Sequence, residues 1–201
     1  MPGLSTTAYS FAKMKAISLY NNSFTTPEVI SSMVLTKEEL IASLQNEVRI
    51  LLHLASKVDR NKLDYRPTPK QRSTLELLQY LSVMGPMLIR GIKAGSFDPA
   101  AWQAAVAGAN TMNFDQVLGA IETQRNTYGQ LLSEFSDADF RREIDLFGAG
   151  KSSCGAVIVN MVLAGCAAYR TQLFLYLKAC GRDELNTMNL WAGMDAPAAT
   201  P

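Results

Sequence analysis

The chain has 201 residues, of which 48% are hydrophobic and 18% charged. That suits one domain with an ordinary core and excludes a disordered chain. Its 19 basic and 18 acidic side chains leave a formal charge of +1, and no Lys/Arg run stands out, so no partnership with nucleic acid or an anionic membrane surface is expected.

Along the chain, residues 1–35 come first. Phe11, Met14 and Ile17 recur every three residues on one helical face, with Leu19 to its side, and Thr26-Pro27-Glu28 fits a short helix start. We read this segment as an N-terminal helical arm that packs on the rest of the chain or on a partner subunit. It has no charged and apolar leader pattern, and no secretory signal is expected. Thr36-Lys37-Glu38-Glu39 is a capping box, and Leu44, Val48, Leu51, Ala55 and Val58 follow at helical spacing, which predicts a first long helix to about Val58. Ser73-Thr74-Leu75-Glu76 is a second box, followed by the stripe Leu77, Leu81, Met84 and Leu88. Gly85-Pro86 lies inside this helix and is expected to kink it.

Residues 95–112 form a longer connection, with Asp98-Pro99-Ala100-Ala101-Trp102 as a short helix start. Asn113-Phe114-Asp115-Gln116 opens a third long helix, with Val117, Ile121, Leu131 and Leu132 among its apolar positions, ending near Ser136. A polar stretch with Gly148-Ala149-Gly150 precedes a fourth helix from about Ser153 to Cys180, stopped by Gly181. The apolar run from Cys154 to Tyr169 is short of a membrane span and reads as a core helix. Gly148-Ala149-Gly150-Lys151-Ser152 lacks the spacing and the preceding strand of a phosphate loop. Cys154, Cys166 and Cys180 fall in or beside the fourth helix, too far apart to bridge. They read as reduced thiols of a cytoplasmic protein, with Cys154 placed where a helix dipole lowers a thiol pKa.

No strand alternation persists and no repeat is found, so the chain reads as all-α: a four-helix bundle at residues 36–182, an arm before it and a tail at 183–201. The tail is expected to be mobile from Asp195.

Leu63-Asp64-Tyr65-Arg66-Pro67, the run Ser73 to Leu81, and the segment Asn160 to Gly181 with Tyr169-Arg170-Thr171-Gln172 at its centre together carry a resemblance. They resemble the second-helix entry and the fourth helix of the DinB/YfiT-like four-helix bundles, over about residues 36–182. The resemblance implies an up-down-down-up bundle. It also implies three metal-binding histidines, one late in the first motif and two spaced four apart in the second. This sequence has Tyr80, Gly165 and Tyr169 there. Phenols and a glycine are poor ligands for nickel or zinc at neutral pH, so no metal and no cofactor is expected.

The remaining candidates are weighed singly. His53, the lone histidine, reads as an edge or contact residue with one hydrogen bond, or else as a catalytic base, for which no nucleophile is found at readable spacing. Tyr80 and Tyr169 read either as rings filling the space of the lost site, with Gly165 giving room, or as hydroxyls that orient a ligand. Trp191 packs on the bundle end or lids a pocket. Arg170 and Gln172 are expected to make structural hydrogen bonds. The first helix is apolar on a second face through Ile50 and Leu54, which with the arm predicts a homodimer. Three functions stay open: binding of a small molecule or partner without metal, a thiol-transferase-like enzyme using the same pocket, and a structural or regulatory dimer.

Overall fold

Each long helix begins where a side-chain cap meets an apolar repeat. In the computed structural model, which describes residues 35–148 and 150–196, α1 spans Lys37–Ala55. The Thr36 hydroxyl accepts from the Glu39 amide at 3.1 Å and the Glu39 carboxylate accepts from the Thr36 amide at 2.8 Å. This satisfies two of the amides a helix start leaves unpaired. α1 ends three residues before the expected Val58, because the Lys57 and Val58 amides turn to the Leu54 and Ala55 carbonyls in tighter three-residue steps. α2 (Thr74–Ala94) starts from the Ser73/Glu76 box and continues through Gly85-Pro86. The connection after it holds α3 (Pro99–Ala109), whose Asp98 cap accepts from the Ala100 and Ala101 amides.

α4 (Phe114–Ser133) is capped by Asn113 and Gln116. Ser136, expected near the end of this helix, instead starts the short α5 (Asp137–Arg141) through a box with Asp139. The polar stretch is pinned at its ends by an antiparallel pair, β1 (Glu143–Ile144) with β2 (Ser152–Ser153), in the register Glu143 to Ser153 and Ile144 to Ser152. The last long helix, α6 (Cys154–Ala179), stops at Gly181. The left-handed φ of +93° there lets the Gly181 and Arg182 amides turn back to Lys178 and Leu177. α6 is not a uniform α-helix. Over Ile158–Leu163 it widens into a π-turn, and the Ala164 amide reaches the Val159 carbonyl.

α1 and α2 each pack on α4 and α6 and face one another across the diagonal of a four-helix bundle. The α3 crossover gives the up-down-down-up course. The core is Leu44, Val48 and Leu54 of α1, Leu77, Leu81 and Ile89 of α2, Val117, Ile121 and Leu132 of α4, and Ile158, Val162 and Leu173 of α6. With its full length, α6 is long and apolar enough to cross a membrane by composition, at a mean hydropathy of 1.3 over its most apolar window, where the sequence reading stopped at Tyr169. Its inner face is the bundle core.

Ile50 and Leu54, expected to offer α1 a second face for a partner, are buried at 1% and 0% exposure. Leu54 belongs to the bundle core. Ile50 lies under this chain's own C-terminal segment, where a π-turn (Met188–Ala192) packs on α1. Most of the N-terminal arm, with Phe11, Met14, Ile17 and Leu19, lies outside the described residues, as do residues 197–201.

Candidate functional site

The start of α2 and the face of α3 make a groove. The α2 repeat puts Glu76, Gln79 and Tyr80 on one side, and α3 sets Trp102, Val106 and Asn110 opposite at intervals of four. With Arg72, these residues line an open groove of about 370 Å³. Gln79 ties the two walls together, its Nε2 donating to the Asn110 carbonyl at 3.3 Å and the Met112 carbonyl at 2.9 Å.

Tyr80 is the wall's centre. The Arg72 guanidinium lies 3.9 Å from its ring centroid, within cation–π range. Trp102 meets it edge-on at 6.0 Å, and Tyr169 of α6 packs behind it at 5.1 Å, also edge-on. Burial, with the Tyr169 phenol beside it as the next cause, raises the Tyr80 pKa above its ordinary value while Arg72 pulls it down, so Tyr80 is a neutral phenol at neutral pH. Arg72 itself is held from behind. Its carbonyl accepts from the buried Tyr176 hydroxyl at 3.0 Å, and Gln172 donates to that hydroxyl at 2.5 Å. Gln172 therefore makes the structural bond expected of it, and through Tyr176 it positions an arginine of the groove.

Glu76, the groove's acid, is already engaged. One oxygen accepts from the Ser73 amide at 2.8 Å and the other from Arg66 at 3.1 Å. The Ser73 hydrogen bond is the main cause that holds its pKa low, and Arg66 adds to it.

Deeper in the bundle sits a second polar group. Arg170 donates to Glu47 of α1 at 3.1 Å, with the two side chains only 5% and 13% exposed. Glu47 Oε2 and Arg170 Nε have no hydrogen-bond partner among the described residues. Burial raises the Glu47 pKa against the pull of Arg170. Nearby, the Tyr128 hydroxyl donates to Gln124 Oε1 at 2.8 Å, and Gln124 Nε2 donates to the Leu81 carbonyl at 2.8 Å.

The structure brings Tyr80 and Tyr169 into contact on facing helices, half-buried at the bundle's flank and not deep inside it. Gly165 is not beside their rings: a Cβ there would meet the Met84 methyl at 3.4 Å, so a methionine fills the room the glycine leaves. Two phenols, one of them driven toward its protonated form, and a glycine do not make a donor set for a divalent metal. No group of three or more His, Cys, Asp or Glu that could hold one occurs among the described residues.

The other candidates are dispersed. The His53 Nε2 atom lies 3.1 Å from Asn189 Nδ2. Asn189 Oδ1 accepts from the Asn186 amide, which fixes that side chain's orientation and makes its NH₂ the donor. The imidazole is therefore neutral with its proton on Nδ1, consistent with a pKa lowered first by burial and next by Lys57. Its neighbours Arg49 and Lys57 hold the C-terminal segment through the Ala192 and Gly193 carbonyls and Asp195. Trp191 is 69% exposed, with Arg170 5.8 Å from its ring centroid, and does not line the groove.

Cys154 departs from expectation. It begins α6, yet it is fully buried and its pKa is raised, because desolvation outweighs the helix terminus. Burial likewise pushes Cys166 up to about 12 and raises Cys180.

Sequence reasoning missed Arg72, Trp102 and Glu47. Glu47 was findable as the one acid set into the Leu44/Val48/Leu51 stripe. Arg72 had no such signal, since its place depends on Tyr176, more than a hundred residues on.

No protein-family model matches this sequence, and no curated protein matches it. The fold is similar to the crystal structure of a DinB-like protein, YjoA, from Bacillus subtilis. The TM-score is 0.56 with 18% identity, covering 73% of this chain and 95% of that one. The chain thus has a DinB-like fold.

Proposed function

We propose that this DinB-like bundle is a metal-independent protein that binds a small molecule in the groove between α2 and α3 and has no turnover of its own. The observation that carries this reading is the groove itself: an arginine and two aromatic rings around a volume in the size range of ligand sites. Catalysis needs an activated nucleophile or a positioned acid or base. The three thiols have raised pKa values, Tyr80 is neutral, and His53 is engaged with Asn189 away from the groove. The same free thiols suit a reducing compartment, the cytoplasm.

The rival is a thiol transferase in which Tyr80 or Tyr169 orients a thiolate. Incubation with low-molecular-weight thiols and electrophilic acceptors, with chelator or with added nickel or zinc, separates the two. Turnover that survives chelator and disappears in Tyr80→Phe or Tyr169→Phe would sink the binding reading. No turnover, with a thermal shift from a small molecule that Trp102→Ala abolishes, is the expected result. Elemental analysis of the purified chain is expected to find no stoichiometric nickel, zinc or iron.

A homodimer is a second element of the proposal. Leu175, Met188, Trp191 and Met194 are 41–69% exposed in the last part of the chain, and such apolar side chains favour a contact when they cluster. Light scattering at micromolar concentration that gives the 22.0 kDa monomer would refute it.

A further inference from the structure

We propose that the groove selects a ligand with an acidic group on a flat apolar body, an aromatic carboxylate. This rests on the binding reading above and goes further by fixing the ligand's charge and shape.

The argument starts from the charges on the walls. Arg72 and Glu76 line the groove, and Tyr80 adds a neutral phenol. Glu76 is matched twice over, by Arg66 and by the Ser73 amide. Arg72 has no carboxylate partner among the described residues, so the groove carries one uncompensated positive charge.

Geometry narrows what can meet it. The Arg72 guanidinium carbon lies over the Tyr80 ring, 3.9 Å from its centroid, and no protein acceptor among the described residues takes a hydrogen bond from its side chain. A guanidinium carries five N–H donors arranged as a planar fork, and with none of them taken by the protein they are available for a bidentate carboxylate. The arginine is also pre-placed, since Tyr176 and Gln172 fix its backbone from behind. The neighbouring walls suit the rest of such a ligand. Trp102 and Val106 give an apolar surface on α3, and Gln79 has both its amide protons committed to backbone carbonyls, leaving its oxygen to accept from a hydroxyl.

The chain has two tryptophans, and only Trp102 lines the groove. In full-length protein carrying Trp191→Phe, Trp102 fluorescence therefore reports on the site. The probes are phenylacetate and its neutral isostere phenylacetamide. The acid is expected to bind about tenfold or more tighter than the amide, the difference a charge-assisted hydrogen-bond pair supplies. Arg72→Gln is expected to erase that preference while amide binding stays. Because the Tyr176 bond is to the Arg72 backbone, this variant keeps the contact that holds the fold, and a wild-type thermal melt checks it. Equal binding of acid and amide, or an acid preference that survives Arg72→Gln, overturns the inference and leaves the binding reading standing. If neither probe perturbs Trp102 at millimolar concentration, both fall together.

Discussion

Gly85 sits where α2 passes close to the buried Tyr128 side chain. A Cβ built there would lie 2.0 Å from the Tyr128 hydroxyl oxygen and 2.9 Å from Cζ. Tyr128 is fully buried, and its hydroxyl is tied to Gln124, which is tied to the Leu81 carbonyl, so the ring cannot move aside without breaking that chain. Gly85→Ala gains about 1 kcal/mol of helix propensity. Against this stand about 1–3 kcal/mol of overpacking and about 1–3 kcal/mol for leaving a buried polar partner unpaired. The expected net loss is about 1–5 kcal/mol. Tyr128→Phe removes the worst contact, so Gly85→Ala in that background should cost at least about 1 kcal/mol less. Urea unfolding of the four proteins of this cycle measures both numbers. A Gly85→Ala variant that is stabilised, or an equal cost in both backgrounds, would refute the packing argument.

Further outcomes follow from the same geometry. Tyr169→Ala should cost about 1.5–3 kcal/mol, below the about 3–5 kcal/mol of a fully buried ring, because Tyr169 is half-buried; calorimetry that finds no loss would show the ring contributes nothing. Burial raises the Glu47 pKa above its ordinary 4.5, so its linked stability is present below 4.5 and is lost as pH rises through the folded value. Relative to the non-titrating Glu47→Gln variant, wild type should therefore lose stability as pH rises through that window, and a wild type that gains on the variant there would contradict it. His53 has the opposite sign. Its lowered pKa makes its contribution present above 6.5 and lost as pH falls through the folded value. A single imidazole resonance that titrates at or above 6.5 would show that the Asn189 contact does not form.

What the sequence told of the fold came from local chemistry. Capping boxes at Thr36 and Ser73, the helix starts at Asn113 and Asp98-Pro99, and the Gly181 stop each act within a few residues, and each stands where it was read. The third helix was read as ending near Ser136; it ends at Ser133, and the Ser136 to Asp139 box, close behind it, opens the separate α5. The π-turn at Ile158–Leu163 had no proline or glycine to announce it. At the candidate site, Tyr80 and Tyr169 could be paired only through the family resemblance. The groove wall itself is non-local: Trp102 and Arg72 come together through the α3 crossover and the Tyr176 bond, neither of which leaves a periodic trace in the chain. Cys154 misled for an energetic reason, since a helix terminus acts on an exposed thiol and desolvation dominates a buried one.

Arg170 and Arg72 meet opposite demands. Arg170, 4% exposed, must have its charge answered inside the protein, and Glu47 answers it. Removing either partner would strand the other, so this pair is committed to the fold. Arg72 lies half-buried at an open groove with a ring face for company, where water meets the rest of its charge. A ligand carboxylate there gains a bidentate pair but gives up part of its own hydration, so the charge pair alone yields a modest net gain. Binding strength must then come from the apolar body. Covering about 100 Å² of surface around Trp102 and Val106 is worth about 2.5 kcal/mol. The acid therefore sets which ligand is chosen and the ring sets how tightly it is held. On that division, Trp102→Ala weakens acid and amide alike, whereas Arg72→Gln removes only the difference between them.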